Sequence, residues 1–380
     1  MAATRAVIRR FLLPRQLHPN AWWGYALGIA VAGSVASNPL FLLGLIAAVC
    51  LVTFSRRGAN PWARSFRLYL WLAVFVIVVR IGFRVLFGGG DGQTILFVLP
   101  EIPLPYWVQG IRLLGPVSLE SLLAGFYDGA RLATVIVCFG AANSLANPRK
   151  LLASMPAALY ELSTVLIVAV SALPQLGESL QRVMRARRLR APAPVKGRRQ
   201  RLRAVETIIV PVLSDALERS LSLAASMDVR GYGRSATATH ATGRWARSRV
   251  LSILLLGGWA YRFVSASRDV TVLGVPVLST ALLVAGGGAA VSALRLAGRT
   301  VRRTQYRPIR WRAAETLALV SGVLPAATTG WIATYGDASV LFPSVNPFQW
   351  PTLDLLLLAV LAVAALPAFL TPPPNARRSA

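Results

Sequence analysis

Residues 181–234 read QRVMRARRLRAPAPVKGRRQRLRAVETIIVPVLSDALERSLSLAASMDVRGYGR. The stretch carries two helical patterns, each ending in a short arginine-bearing box. In the first, Leu173, Leu176, Leu180 and Val183 recur at three- and four-residue steps and make one apolar face. Arg187 continues that face, inside the box Ala186-Arg187-Arg188. In the second, Leu202, Val205, Ile209, Val212, Ala216, Leu223 and Met227 make a similar stripe, bent at Pro211. Arg230 follows in the box Val229-Arg230-Gly231, where Gly231 and Gly233 stop the helix. Between the two lies a basic, Pro-containing hinge. Residues 182–203 hold nine Arg and one Lys with no acidic residue.

The surrounding chain decides what such a block is for. Of 380 residues, 55% are hydrophobic and only 14% charged, and the mean hydropathy is +0.56. Soluble domains carry about 25% charged residues and are less apolar. The net charge of +27 would suit nucleic acid if it covered one soluble face. Here it sits in short blocks between apolar segments, which is the positive-inside pattern of a membrane protein. No nucleic-acid partner is therefore expected; anionic membrane lipids are. Cys50 and Cys138 both fall in apolar segments and read as small buried hydrophobes. With only His18 and His240, no His-rich metal site is available, and no cofactor is called for.

A membrane span needs about 20 apolar residues, range about 17–25. Residues 1–20 carry Arg5, Arg9, Arg10 and Arg15 and read as an uncleaved cytoplasmic N-terminus rather than a signal peptide. Trp22–Ala36 and Leu40–Phe54 form a marginal hairpin about the Asn38-Pro39 turn. Arg56, Arg57, Arg64 and Arg67 return the chain to the cytoplasm. Leu68–Phe87 crosses outward. Residues 88–118 form an external loop with an interfacial piece at Tyr106-Trp107. Leu119–Leu145 crosses back. Arg149 and Lys150 mark the cytoplasmic side, as do residues 182–203, so an even number of crossings separates them. Leu162–Leu176 is then expected to lie along the cytoplasmic interface or to be buried against a partner, with a re-entrant hairpin as the alternative. Val250–Ala266 and Val275–Ala297 follow, joined by an external turn at Ser267–Gly274. A cytoplasmic loop, residues 299–312, holds six Arg. Ala313–Thr334 and Pro351–Leu370 complete the chain.

The fold class read from this is all-α: a polytopic membrane protein with about eight spans. Long cytoplasmic-face coupling helices lie between the fourth and fifth. Both termini are cytoplasmic, in the inner (cytoplasmic) cell membrane. Three segments follow: membrane helices at 1–145, the coupling region at 146–249, and further membrane helices at 250–380.

Each arginine box has a plain structural reading. Arg at a helix C-terminus offsets the dipole by about 0.3–1 kcal/mol, and neighbouring arginines bind anionic headgroups at about 1 kcal/mol each. Two such boxes on amphipathic helices on one side of a membrane are better explained by docking. The apolar face is buried, and the guanidinium pairs bidentately with a carboxylate on a cytosolic partner. Within the span at 119–145, Asp128 and Arg131 stand three residues apart and are expected to pair with each other, since buried charge there is expensive.

The layout resembles the transmembrane T component of energy-coupling-factor (ECF) transporters, ABC-type importers of vitamins and of cobalt or nickel. The matching stretches are Leu17-His18-Pro19, the Asn38-Pro39 turn, GFYDGARL at Gly125–Leu132, Leu173-Pro174 with Glu178, and Ala225-Ser226-Met227-Asp228-Val229-Arg230-Gly231-Tyr232. The likeness covers roughly residues 15–265. The first box has Arg188 where the family usually has Gly, and the second has Val229 for the usual Ala. The resemblance implies two cytosolic ABC ATPase subunits gripping the helix tips at Arg187 and Arg230. It also implies a small membrane substrate-binding S component held by the apolar faces, with no chemistry done by this chain. No G-x-x-x-x-G-K-[ST], G-x-S-x-G or H-E-x-x-H occurs, which agrees with a non-enzyme. Two other classes stand beside this reading. A self-contained secondary transporter would need inverted repeats, and none is visible. A membrane enzyme on lipid-linked phosphates would need a nucleophile or base near the boxes, which they lack.

Overall fold

A computed structural model describes residues 14–58, 65–87, 92–100, 114–155, 159–189, 197–232, 249–258, 260, 271–272, 275–298 and 311–373. In chain order the elements are α1 (Pro19–Val35), α2 (Pro39–Arg56), α3 (Phe66–Phe87), β1 (Ile95–Val98), β2 (Pro116–Ser118), α4 (Leu119–Leu145) and α5 (Pro148–Ala153). Then come α6 (Tyr160–Leu189) and α7 (Arg198–Val229), α8 (Arg249–Gly258), β3 (Thr271–Val272), β4 (Val275–Pro276) and α9 (Val277–Gly298). The last are α10 (Ala313–Tyr335), α11 (Ala338–Leu341), α12 (Leu355–Ala365) and α13 (Pro367–Leu370). The two strand pairs are short antiparallel hairpins. The expected piece at Tyr106-Trp107 lies outside the described residues.

The protein is an all-α polytopic membrane protein. Among the described residues, five helices are long and apolar enough to span a membrane: α2, α3, α4, Leu162–Leu189 of α6, and α10. Shorter apolar helices occupy Arg249–Gly258, Val284–Leu296 and Leu355–Leu370. Contacts divide the chain into two compact units, residues 1–151 with 307–380, and residues 152–306. The last stretch of the chain thus belongs with the first.

In the first unit, small residues set the packing. Inside a bilayer the hydrophobic effect does not drive helices together, so close backbone approach supplies the attraction. A side chain at Gly28 would meet the Gly322 backbone, and one at Gly322 would meet the Tyr25 backbone. Helices α1 and α10 therefore touch backbone to backbone. On α4, Gly125 faces Arg84, Gly129 faces Ile77 and Gly140 faces Tyr69, which lets α3 lie directly against it.

Polar ties fix the register. The turn at Asn38 matches its reading: Asn38 caps α2 by accepting from Leu40 and Phe41 N–H groups, with Pro39 at the first helical position. Its amide donates to the carbonyls of Val340 and Thr352 at 2.9 and 2.8 Å, so this fully buried amide is satisfied. Arg15 forks onto Glu315 at 2.7 and 2.9 Å, and Glu315 also accepts from Arg312 N–H at the start of α10. Tyr25 donates to Ala364, and Arg56 to Pro367 and Ala368. These contacts join ends that the charge pattern placed on one side of the membrane.

Candidate functional site

The second unit contains both arginine boxes. Helix α6 runs unbroken from Tyr160 to Leu189 through Pro174. Leu162–Leu176 and the first box-bearing helix are thus one element, and a re-entrant hairpin is ruled out. The first box does not stop its helix. Arg188, where a Gly would end it, is still helical, and Leu189 follows. Ala186 and Arg188 are exposed and Arg187 is half-buried.

The second box is a helix end built atom by atom. Val229 is the last helical residue, Arg230 is the C-cap, and Gly231 adopts φ +74°. Gly231 N–H donates to Asp228 and Tyr232 N–H donates to Met227, at 2.9 and 3.0 Å. That pair of bonds is the Schellman motif, which satisfies the last carbonyls and turns the chain away. Among the described residues, no atom crowds the position a side chain would take at Gly231. The left-handed backbone, rather than space, selects glycine there. Val229 is 88% exposed, so an apolar side chain and the Arg230 guanidinium stand at the tip of a 32-residue helix.

The side of α7 turned inward differs from the one hydrophobicity predicts. Val205, Ile209 and Leu223 are exposed. The half-buried face runs through Ile208, Val212, Asp215, Ala216 and Arg219, and Met227 continues it. Val210, Leu213, Leu217 and Leu221 form an exposed apolar stripe at helical spacing. On α6, Leu173, Leu176 and Leu180 are exposed, whereas Ser179 is buried and Val183 and Arg187 lie in line with it. Both helices therefore present apolar side chains outward.

Asp215 joins the two helices. Its Oδ2 accepts from the Ser179 hydroxyl of α6 at 2.6 Å. Arg219, one turn on in α7, grips both oxygens at 3.1 and 2.9 Å, and Arg182 of α6 approaches to 3.9 Å. The Ser179 hydroxyl first, then Arg219 and Arg182, hold the carboxyl below the usual aspartate range, against an opposing effect of burial. Sequence reading passed over this cluster. The available signal was an acid–base pair at i, i+4 on α7.

The intramembrane charge pair requires a correction. Asp128 is bonded to Arg84 of α3 at 3.2 Å, not to Arg131. The cause is the glycine contact. With Gly125 and Gly129 admitting α3, Arg84 passes beside Asp128 from the neighbouring helix. Arg131 is exposed, further round α4.

A family model for CbiQ, the cobalt transport protein, matches residues 14–240. The chain belongs to this family. The match takes in α1 to α7 and both boxes, and ends before α10. Among curated relatives, the energy-coupling factor transporter transmembrane protein EcfT of Macrococcus caseolyticus is 28% identical over 62% of this chain and 81% of its own length. EcfT of Leuconostoc gelidum subsp. gasicomitatum is 27% identical over 48% and 75%, and that of Bacillus subtilis 26% over 51% and 68%. The chain is thus similar to transmembrane components of ECF transporters.

Proposed function

We propose that this chain is the transmembrane coupling subunit of an ECF-type ABC importer, set in the cytoplasmic membrane with both termini inside. Two cytosolic ABC ATPases dock on the tips of α6 and α7, with Arg187 and Arg230 pairing to carboxylates in their grooves. A small S component seats on the outward apolar stripes, including Leu213, Leu217 and Leu221. It carries the solute, a vitamin or a transition-metal ion. ATP binding closes the ATPases, moves the tips and reorients the S component; hydrolysis is the partners' chemistry. The observation that carries this reading is the end of α7. There an exposed valine and an arginine stand on a Schellman turn, at the tip of a long helix whose outward face is apolar.

The test is a mild-detergent pull-down of tagged protein from its own host, as wild type and as Arg187→Glu/Arg230→Glu. The expected result is ATPase subunits with wild type and none with the variant, while the variant remains in the membrane fraction. Wild type that brings down no ATPase, under conditions preserving other membrane complexes, would return the arginines to a role at helix ends on anionic lipid.

A further inference from the structure

The two helices need a defined relation if force applied at their tips is to do work. Apolar faces alone supply attraction without register, because dispersion and hydrophobic contact are non-directional. A polar contact within a helix interface supplies direction; a buried polar side chain fixing register is the best-attested role of such groups. The Asp215 cluster has that form. Arg219 belongs to the same helix as Asp215, so its fork aims the carboxylate without linking anything. Asp215 is linked across the interface by the Ser179 hydroxyl, buried and at 2.6 Å, with the Arg182 guanidinium beside it.

The position along each helix is also informative. Ser179, Val183 and Arg187 fall in line at four-residue steps on α6, and Arg187 lies about 12 Å beyond the link at 1.5 Å per residue. Arg230 lies about 22 Å beyond it on α7 by the same rise. Asp215 sits inside the half-buried face that runs on to Met227, just before the second box.

We propose that Asp215 is a positioning residue, the pin about which α6 and α7 turn. Arg219 presents its carboxylate, and Ser179 with Arg182 seats it, so that motion at the tips becomes rotation about this point rather than sliding of one helix along the other. The geometry stands by itself; the purpose rests on the coupling reading above.

The test uses the full chain in lipid nanodiscs, with Cys50 and Cys138 changed to Ala and spin labels at Leu189 and Leu221. Wild type gives a single narrow distance distribution. Ser179→Ala and Asp215→Ala each broaden it about twofold, because a hydrogen bond to a charged group is lost from the interface. Ser179→Thr, which keeps the hydroxyl, stays narrow. The Ser179→Ala/Asp215→Ala double variant is no broader than the broader single variant, since both remove one interaction. Asp215→Asn checks that broadening reflects the lost charge and not an unfolded helix: it broadens while helicity by circular dichroism holds. Wild-type widths in Ser179→Ala and Asp215→Ala, or broadening that sums in the double variant, would overturn the pin.

A second arm separates this claim from the coupling reading. Asp215→Ala, whose boxes are intact, still captures the ATPases in the pull-down. The distance change induced by ATP with vanadate in the captured complex falls to about half or less, since the lever has lost its fixed point. A full-sized change in Asp215→Ala overturns the pin and leaves the coupling reading in place. Failure of wild type to capture ATPases removes the coupling reading, while the distance widths still decide whether the pin exists.

Discussion

The two compact units are held together in opposite ways. The first is made of helices in backbone contact through Gly28, Gly322, Gly125, Gly129 and Gly140. Its early and late helices are tied by polar bonds across as many as 339 residues of sequence. In the second, two helices of 30 and 32 residues present much of their apolar surface outward and meet around one aspartate. A body that must anchor wants many contacts of short reach. A body that must be moved by partners wants few contacts, long arms and free surface. The packing of the second unit thus suits the coupling role proposed for α6 and α7.

Substitutions should expose this difference, most strongly in the first unit. Glu315→Ala removes the partner of Arg15 from a site where the glutamate is 0% and the arginine 22% exposed. Breaking a buried pair costs about 3–5 kcal/mol, and the low end applies because Arg15 keeps some water. Thermal unfolding in detergent should shift accordingly, and the N-terminal segment should become sensitive to protease. Gly322→Ala is next. Its methyl would meet the Tyr25 backbone, which cannot rotate away, so a loss of about 2 kcal/mol is expected from overpacking. The matched change in the second unit, Gly177→Ala, meets nothing within 4 Å and should stabilise by about 0.5–1 kcal/mol through helix propensity. Equal effects of the two alanines would erase the contrast.

Smaller effects sharpen it. Gly231→Ala forces a side chain into the left-handed region at a cost of about 1 kcal/mol. It should leave the melting of the first unit unmoved while fraying the end of α7, seen as faster hydrogen exchange at Gly231 and Tyr232. The least effect is with pH. Asp215 has its folded value depressed, so its contribution is complete above the usual aspartate range and fades as pH falls below it. The Leu189–Leu221 label distribution should therefore be constant from pH 8 to about pH 5 and broaden below about pH 4. Broadening toward high pH would contradict the assignment.

Much of this was legible beforehand. The Asn38-Pro39 turn, the two long helices of the central block and the glycine stop at Gly231 each follow from local chemistry: a cap, a period and a left-handed turn. What escaped was non-local or polar. Periodicity counts apolar residues, so Asp215 and Arg219 go unread; of the apolar stripe, Val212, Ala216 and Met227 lie on the half-buried face of α7, whereas Val205, Ile209 and Leu223 are exposed. The Arg84–Asp128 pair needs two helices in contact, and the spacing within α4 suggested Arg131 instead. The end of α6 was read from a box that lacks its glycine, and the helix runs through it. The return of α10 to α1, sealed by Arg15 and Glu315, leaves no mark in either segment taken alone.

The central claim, that the tip of α7 meets a cytosolic ATPase, is tested most directly by photo-crosslinking in living cells. A benzoyl-phenylalanine replaces Tyr232, beside the second box, or Trp350, an exposed aromatic in the loop before α12. Crosslinking at 232 to a soluble ABC ATPase, with none at 350, is the predicted result. Crosslinks at 232 to lipid or membrane proteins alone, or the same ATPase captured equally from both positions, would contradict the account.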